Sequence, residues 1–172
     1  MEFFLFRTRI VPLLLWGAAL GWSATVAALS DDSSKPIQIA ADGVEMDEAK
    51  GTSVYTGNVE VQQGSIRLWA DQVTVHHQPD RKPQRFVAVG KPARYRQLMD
   101  NNKGEVKARA LRMEYDANSE EINLYDDAHL SQGKDTFQSD RILYDRNKAL
   151  VKAGASAKGK QRVNISIDPN KK

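Results

Sequence analysis

Along most of this chain apolar residues recur at every second position, and that period limits what it can fold into. Ile37 and Ile39 alternate with Gln38 and Ala40, Val59 and Val61 with Asn58, Glu60 and Gln62, and Ile66 and Leu68 with Ser65, Arg67 and Trp69. Val73 and Val75, Val87 and Val89, Ile122 and Leu124, and Val163, Ile165 and Ile167 repeat the pattern. A period of two sends successive side chains to opposite faces of a strand, so each segment has one apolar and one polar face. Turn-forming clusters separate the segments: Ala49-Lys50-Gly51, Gly57-Asn58, Gln63-Gly64, Pro79 to Pro83, Gly90-Lys91-Pro92, Asn101 to Gly104, Asp116 to Ser119, Gln132-Gly133 and Asp145 to Asn147. Many short strands punctuated in this way predict an antiparallel all-β fold. Val106 to Tyr115 is rich in helix formers, but Leu111, Met113 and Tyr115 alternate with Arg112 and Glu114, so it too reads as a strand.

The pattern is used twice. A shift of 69 positions lays Glu45 on Glu114, Asp47 on Asp116, Gln63 on Gln132, Gly64 on Gly133 and Asp71 on Asp140. The same shift lays Val44, Met46, Val61, Leu68 and Val73 on Met113, Tyr115, Leu130, Phe137 and Ile142. Duplicated β units stack so that each buries an apolar face against its neighbour, and the outer ends stay open unless capped. Neither end carries an obvious cap. Gly64 with Gly133 and Asp71 with Asp140 recur at fixed points of the unit, and these four and Gly57 read as backbone residues at turns or strand starts. Tyr55 and Trp69 fall on the opposite phase from Val54 and Leu68, and the pattern leaves their sides open.

The first thirty residues read as an export signal. Arg7 and Arg9 precede an apolar run from Ile10 to Trp22, shorter than the ~20 residues that cross a bilayer, and Val26 and Ala28 provide a small-residue cleavage site. This gives a cleaved signal over 1–28, a flexible leader over 29–35, one β domain over 36–168 and a basic tail over 169–172. The alternative for the first segment is an uncleaved anchor. With no Cys, the chain has no disulfide scaffold, Cys-ligated zinc or thiol nucleophile. A formal net charge of +3, from 25 Lys plus Arg and 22 Asp plus Glu, lacks the concentrated basic face of a nucleic-acid protein. Lys152, Lys158, Lys160, Arg162, Lys171 and Lys172 gather toward the C-terminus, as a solvated tail or as an attractor of anionic headgroups.

Catalytic chemistry finds little to work with. The histidines are His76, His77 and His129, and neighbours on a strand point to opposite faces, so His76 and His77 do not serve one metal or one base. Asp31-Asp32 and Asp126-Asp127 read as turn residues. G-x-S-x-G, H-E-x-x-H and phosphate-cradling glycine loops are absent. The sequence therefore offers no catalytic residue, metal ligand or cofactor site.

Four ordered motifs carry a family resemblance. Pro36-Ile37-Gln38-Ile39-Ala40-Ala41-Asp42, Val54 through Gly64 (VYTGNVEVQQG), Ala70-Asp71-Gln72-Val73 and Gly90-Lys91-Pro92-Ala93 together resemble the OstA-like, LptA-type domain family of lipopolysaccharide transport, over roughly Lys35 to Ile167. The resemblance implies a taco-like antiparallel β-jellyroll, open at both ends, with no enzymatic activity. It also implies a periplasmic location, lipopolysaccharide bound through its lipid A moiety, and a bridge from the inner-membrane LptC component to the outer-membrane LptD component. Ile37, Ile39 and Tyr95 fall in segments that match the strands lining the family's lipid groove.

An acyl chain of about a dozen methylenes costs on the order of 10 kcal/mol in water, at ~0.8 kcal/mol per CH₂, so a lipid carrier needs an apolar sheath. Alternation nominates for it Ile37, Ile39, Val44, Met46, Val59, Val61, Ile66, Leu68, Val73, Val75, Val87, Val89, Tyr95, Leu111, Met113, Tyr115, Ile122, Leu124, Leu130, Phe137 and Ile142. Partner strands are expected at Pro36 to Ala40, with Ile37 and Ile39, and at Arg162 to Asp168, with Val163, Ile165 and Ile167. Strand addition between these unlike edges would join molecules head-to-tail. The competing reading is a β module, or an anchored LptC-like component, that binds protein partners and no lipid; a hydrolase using His129 is the least supported. Mass spectrometry of the exported protein should find its N-terminus at or near Leu29, whereas recovery of peptides containing Phe3 from membranes would establish an anchored form.

Overall fold

In the computed structural model, residues 31–99 and 104–169 are described; the segment that reads as an export signal and the last basic residues, Lys171 and Lys172, lie outside them. Ten strands follow in order: β1 Gln38–Ala40, β2 Gly43–Asp47, β3 Thr52–Gln63, β4 Ile66–His77, β5 Pro83–Leu98, β6 Glu105–Asp116, β7 Glu121–Gln132, β8 Asp135–Asp145, β9 Leu150–Ala153 and β10 Asn164–Ser166. All pair antiparallel in one open sheet of order β1-β3-β4-β5-β6-β7-β8-β10, with β2 also on β3 and β9 also on β8. Val, Ile, Tyr and Thr fit a pleated, half-buried surface, and β6 is a strand despite its helix formers.

The central strands are longer than the sequence pattern suggests because two of its turn signals are not turns. Gly57-Asn58 lies inside β3 and Gly90-Lys91-Pro92 inside β5. Both sit at register shifts, which fall between Thr56 and Val59, Trp69 and Gln72, Val89 and Ala93, Arg109 and Arg112, and Tyr125 and Ala128. Asp126-Asp127, expected at a turn, is likewise the bulge of β7, with φ of 61° and 49°. Bulges and turns draw on the same residues because both need positive φ, so composition alone cannot separate them. The 69-residue repeat lays the β3 bulge on the β7 bulge.

These irregularities form one line across the sheet, and along it every long strand bends. At the edges the line coincides with the breaks between β1 and β2 and between β9 and β10. The bend folds the sheet into two facing layers, a jellyroll. One layer holds β1, β10 and the halves of β3 to β8 toward Gln63, Ile66, Leu98, Glu105, Gln132 and Asp135; the other holds β2, β9 and the remaining halves. Gly57, at φ 76°, also lies close to Asp42, since an added Cβ would come within 2.9 Å of the Asp42 Cβ. Asp42 N donates to Gly57 O at 3.0 Å, and Asn58 Nδ2 donates to Asp42 Oδ2 at 2.8 Å.

The segment preceding β1 is tied down in part. Asp31–Ser34 form a 3-10 turn, and the buried Asp32 accepts from Ser65 N at 2.6 Å and Ser65 Oγ at 2.7 Å. Gln63 Nε2 donates to Ser33 O and Lys35 O. Asp32 therefore caps the β3-β4 hairpin, and is more than the turn residue its sequence context suggests.

Gly57→Ala should lower stability by about 1–3 kcal/mol, combining left-handed strain with the clash against Asp42. In an Asp42→Ala background the same change should cost less, and denaturant titration of the four proteins measures the difference.

Candidate functional site: the groove between the layers

Strand register converts the period of two into continuous apolar rows. One row runs Ile39, Val61, Leu68, Tyr95, Ala108, Leu130, Phe137, Ile165 across the first layer. In the other layer a second row runs Val44, Tyr55, Val73, Ala88, Met113, Leu124, Ile142, Ala153, and a third runs Met46, Ser53, Val75, Phe86, Tyr115, Ile122, Tyr144, Val151. Their middle members form one buried cluster, which also takes in Val59 and Ile66, with Ile37, Ile39, Leu68, Tyr115 and Phe137 packed half-buried against it.

Three nominated residues, Val87, Val89 and Leu111, are on the other side. Val89 is 44% exposed and Leu111 46% exposed, both on the outer face. Pairing of Val73 with Ala88 fixes the phase of β5 and turns Phe86 and Ala88 inward, which also sends Val87 outward beside Glu114. Leu111 occupies the bulge of β6, where the extra residue lets both Ala110 and Met113 face inward. Tyr55 faces inward, and Trp69 faces outward beside Arg94.

At both edges the apolar face continues uncovered. Val44 and Met46 are 56% and 65% exposed, and Ile165 is 55% exposed, although register puts all three on the inner face. Among the described residues β1 and β2 bond only to β3, and β9 and β10 only to β8, so each edge offers unpaired backbone groups. Both terminal strands are shorter than expected: Pro36 and Ile37 precede β1, while Val163 and Ile167 flank β10.

Between the layers a cavity of about 60 Å³ remains, lined by Ile37, Val61, Ile66, Leu68 and Tyr95 from one layer and Phe86, Ala88, Met113, Tyr115 and Ile122 from the other, with Gln63 and Arg146 at its polar margin. Arg146, in the turn after β8, donates from Nε to Gln97 Oε1 at 3.2 Å and from Nη1 to the Tyr115 hydroxyl at 3.0 Å. Tyr95 donates to Gln97 Oε1 at 2.7 Å, and Gln97 Nε2 donates to Asp32 Oδ2 at 3.1 Å. Burial pushes the Tyr95 and Tyr115 phenols above their ordinary pKa, and both are neutral at physiological pH.

Sequence reasoning missed the small inner residues Ala88, Ala93, Ala108, Ala110 and Ala128, which lack the size that marks an apolar position. It also missed Asp32, Gln97 and Arg146, which no pattern distinguishes from surface polar residues. The histidines have local partners. His77 Nε2 lies 3.0 Å from Ser53 Oγ, His129 Nε2 lies 3.0 Å from Asp127 Oδ1, and burial lowers the His76 pKa with help from Arg85. No group of three metal-ligating side chains occurs among the described residues, and no helix there is long and apolar enough to cross a membrane.

The family model described as LptA/(LptD N-terminal domain) LPS transport protein matches residues 38–149, from β1 to the strand before β9. The chain belongs to this family. Lipopolysaccharide export system protein LptH of Pseudomonas aeruginosa is 36% identical over 161 residues, 90% of this chain and 91% of the relative. LptA of Haemophilus influenzae is 32% identical over 86% of each chain, and LptA of Escherichia coli K12 is 30% identical over 90% of this chain and 83% of the relative. The crystal structure of LptH, titled the LptA homologous periplasmic component of the lipopolysaccharide transport device, superposes with a TM-score of 0.73 at 32% identity, covering 80% of this chain and 99% of that one. The taco-like, unclosed jellyroll that the resemblance implies is thus the architecture that this chain shares with LptH.

Leu124→Ala, at a fully buried position of the second row, should cost about 2–5 kcal/mol. Leu111→Ala should change stability by less than about 0.5 kcal/mol, a contrast that thermal or denaturant unfolding reads directly.

Proposed function

We propose that this protein carries lipopolysaccharide across the periplasm, from the inner to the outer membrane, with the acyl chains of lipid A held between the two layers. The observation that carries the reading is an apolar inner face that runs from one open sheet edge to the other without a polar cap. Acyl chains need such a sheath, and burial of ~0.8 kcal/mol per methylene suffices to hold them without any covalent step. The chemistry is therefore binding and passage, with no cofactor and no catalytic group. The small cavity between the layers sets a requirement: lipid enters by spreading them, and an open sheet with free edges permits this because the backbone joins its layers along the line of bulges and leaves the opposite margin to side-chain contacts.

The unpaired edges suit assembly. The β1-β2 edge of one molecule adds to the β9-β10 edge of another, or to a similarly folded domain, so that both the ladder and the apolar rows continue. The edges differ, so the contact is head-to-tail and does not close. LptC at the inner membrane and LptD at the outer membrane are the corresponding end partners. Val44, Met46 and Ile165, exposed in the single chain, become covered in such a joint.

Photoreactive residues at Ile39, Leu68 and Tyr95 should capture lipopolysaccharide in cells, and the same residues at Val89 and Leu111 should not. Absence of capture from the inner positions of a functional protein would favour a module that binds protein partners only. Sedimentation should show growth with concentration that is lost on deleting Arg162 to Lys172; a deletion variant that associates as well as the full chain would show that the C-terminal strand β10 is not the joint.

A further inference from the structure

Among the described residues lining the groove, Arg146 is the one cation, and its side chain is only 8% exposed. A buried charge is costly unless it is paired and hydrogen-bonded, yet both acceptors that Arg146 has, Gln97 Oε1 and the Tyr115 hydroxyl, are neutral. Among the described residues its ion-pair partner is Glu120, and that carboxylate stands 3.8 Å from Nη1, beyond hydrogen-bond reach. Asp32 is connected to the guanidinium through Gln97. A guanidinium carries five N–H donors in a planar fork suited to an oxyanion, and two of them are engaged here.

The group is also held in place. Arg146 N donates to Glu120 O at 3.2 Å, and the guanidinium carbon lies 5.5 Å from the centre of the Tyr115 ring. Gln97, by contrast, loses little on release, because it keeps the Tyr95 hydroxyl on Oε1 and Asp32 on Nε2. The contact between Arg146 and Gln97 crosses from one layer to the other, so whatever displaces Gln97 also unties the layers at the groove margin.

We propose that Arg146 is the anion-binding residue of the groove: a phosphate on the lipid headgroup, next to the acyl chains, takes the place of Gln97 on the guanidinium. In the empty protein the Arg146–Gln97 contact ties the two layers together; in the loaded protein the fork holds the phosphate while the chains lie among the apolar rows. The assignment rests on the lipid-carrying reading above and adds to it the headgroup chemistry that the groove selects.

The test measures binding of purified full-length protein to lipopolysaccharide and to the same lipid with its phosphates chemically removed, by displacement of a fluorescent acyl probe. Arg146→Gln should weaken binding of the phosphorylated lipid by about tenfold, the worth of one charge-assisted contact, and leave the dephosphorylated lipid within about twofold. Arg146→Lys, which keeps the charge and loses the fork, should fall between Arg146→Gln and the parent. Gln97→Ala removes the tie without touching the cation and should bind the phosphorylated lipid at least as well as the parent. Equal loss for both lipids in Arg146→Gln, no loss for either, or a Gln97→Ala variant as weak as Arg146→Gln would each overturn the assignment. A parent protein that binds neither lipid would overturn the lipid-carrying reading itself.

Discussion

Everything in this fold depends on bending a wide antiparallel sheet without losing its inside-out alternation. An unbent sheet of this width would leave its apolar face in water, and a sheet closed into a barrel would seal it. The line of bulges through β3 to β8, continued by the breaks at both edges, takes a third course. Each bulge adds a residue where the strand turns, so residues on both sides of the bend still face inward; Ala110 and Met113 flank such a step in β6. The two layers then bury each other while the ends stay open.

That geometry links stability to function. The residues that hold the layers together, such as Leu124, Ile142, Val73, Phe86 and Leu130, belong to the same rows that reach the edges as exposed Val44, Met46 and Ile165. A closed core would have ended those rows in polar residues. Edge strands bounded by short pairings and exposed apolar side chains are a liability in an isolated molecule; in the proposed edge-to-edge assembly they are the joint.

Much of this was legible in the residues, and the boundary of legibility is physical. The period of two revealed strands, and the 69-residue repeat revealed a doubled unit, because both follow from backbone geometry that every residue obeys. The phase of β5 was not legible: Val87 and Val89 alternate as well as Phe86 and Ala88 do, and only pairing with β4 decides which pair faces inward. Leu111 fails for a related reason, since a bulge shifts the phase within one strand. Gly57-Asn58 and Gly90-Lys91-Pro92 were visible as irregular backbone but not as bends inside strands. Arg146, Gln97 and Asp32 come together only across the fold, from positions 49 and 65 residues apart in sequence, and no local pattern announces such a meeting.

The central claim is that the inner face receives lipid along its length while the outer face does not. Because the chain contains no Cys, single cysteines carrying a nitroxide label can be placed at Leu68, Phe137 and Ile165 on the inner row and at Val89 on the outer face. Electron paramagnetic resonance spectra recorded as lipopolysaccharide is added provide the measurement. Changed mobility at all three inner positions with an unchanged outer label is the predicted result. Spectra that do not respond at the inner positions, or that respond equally at Val89, would contradict it.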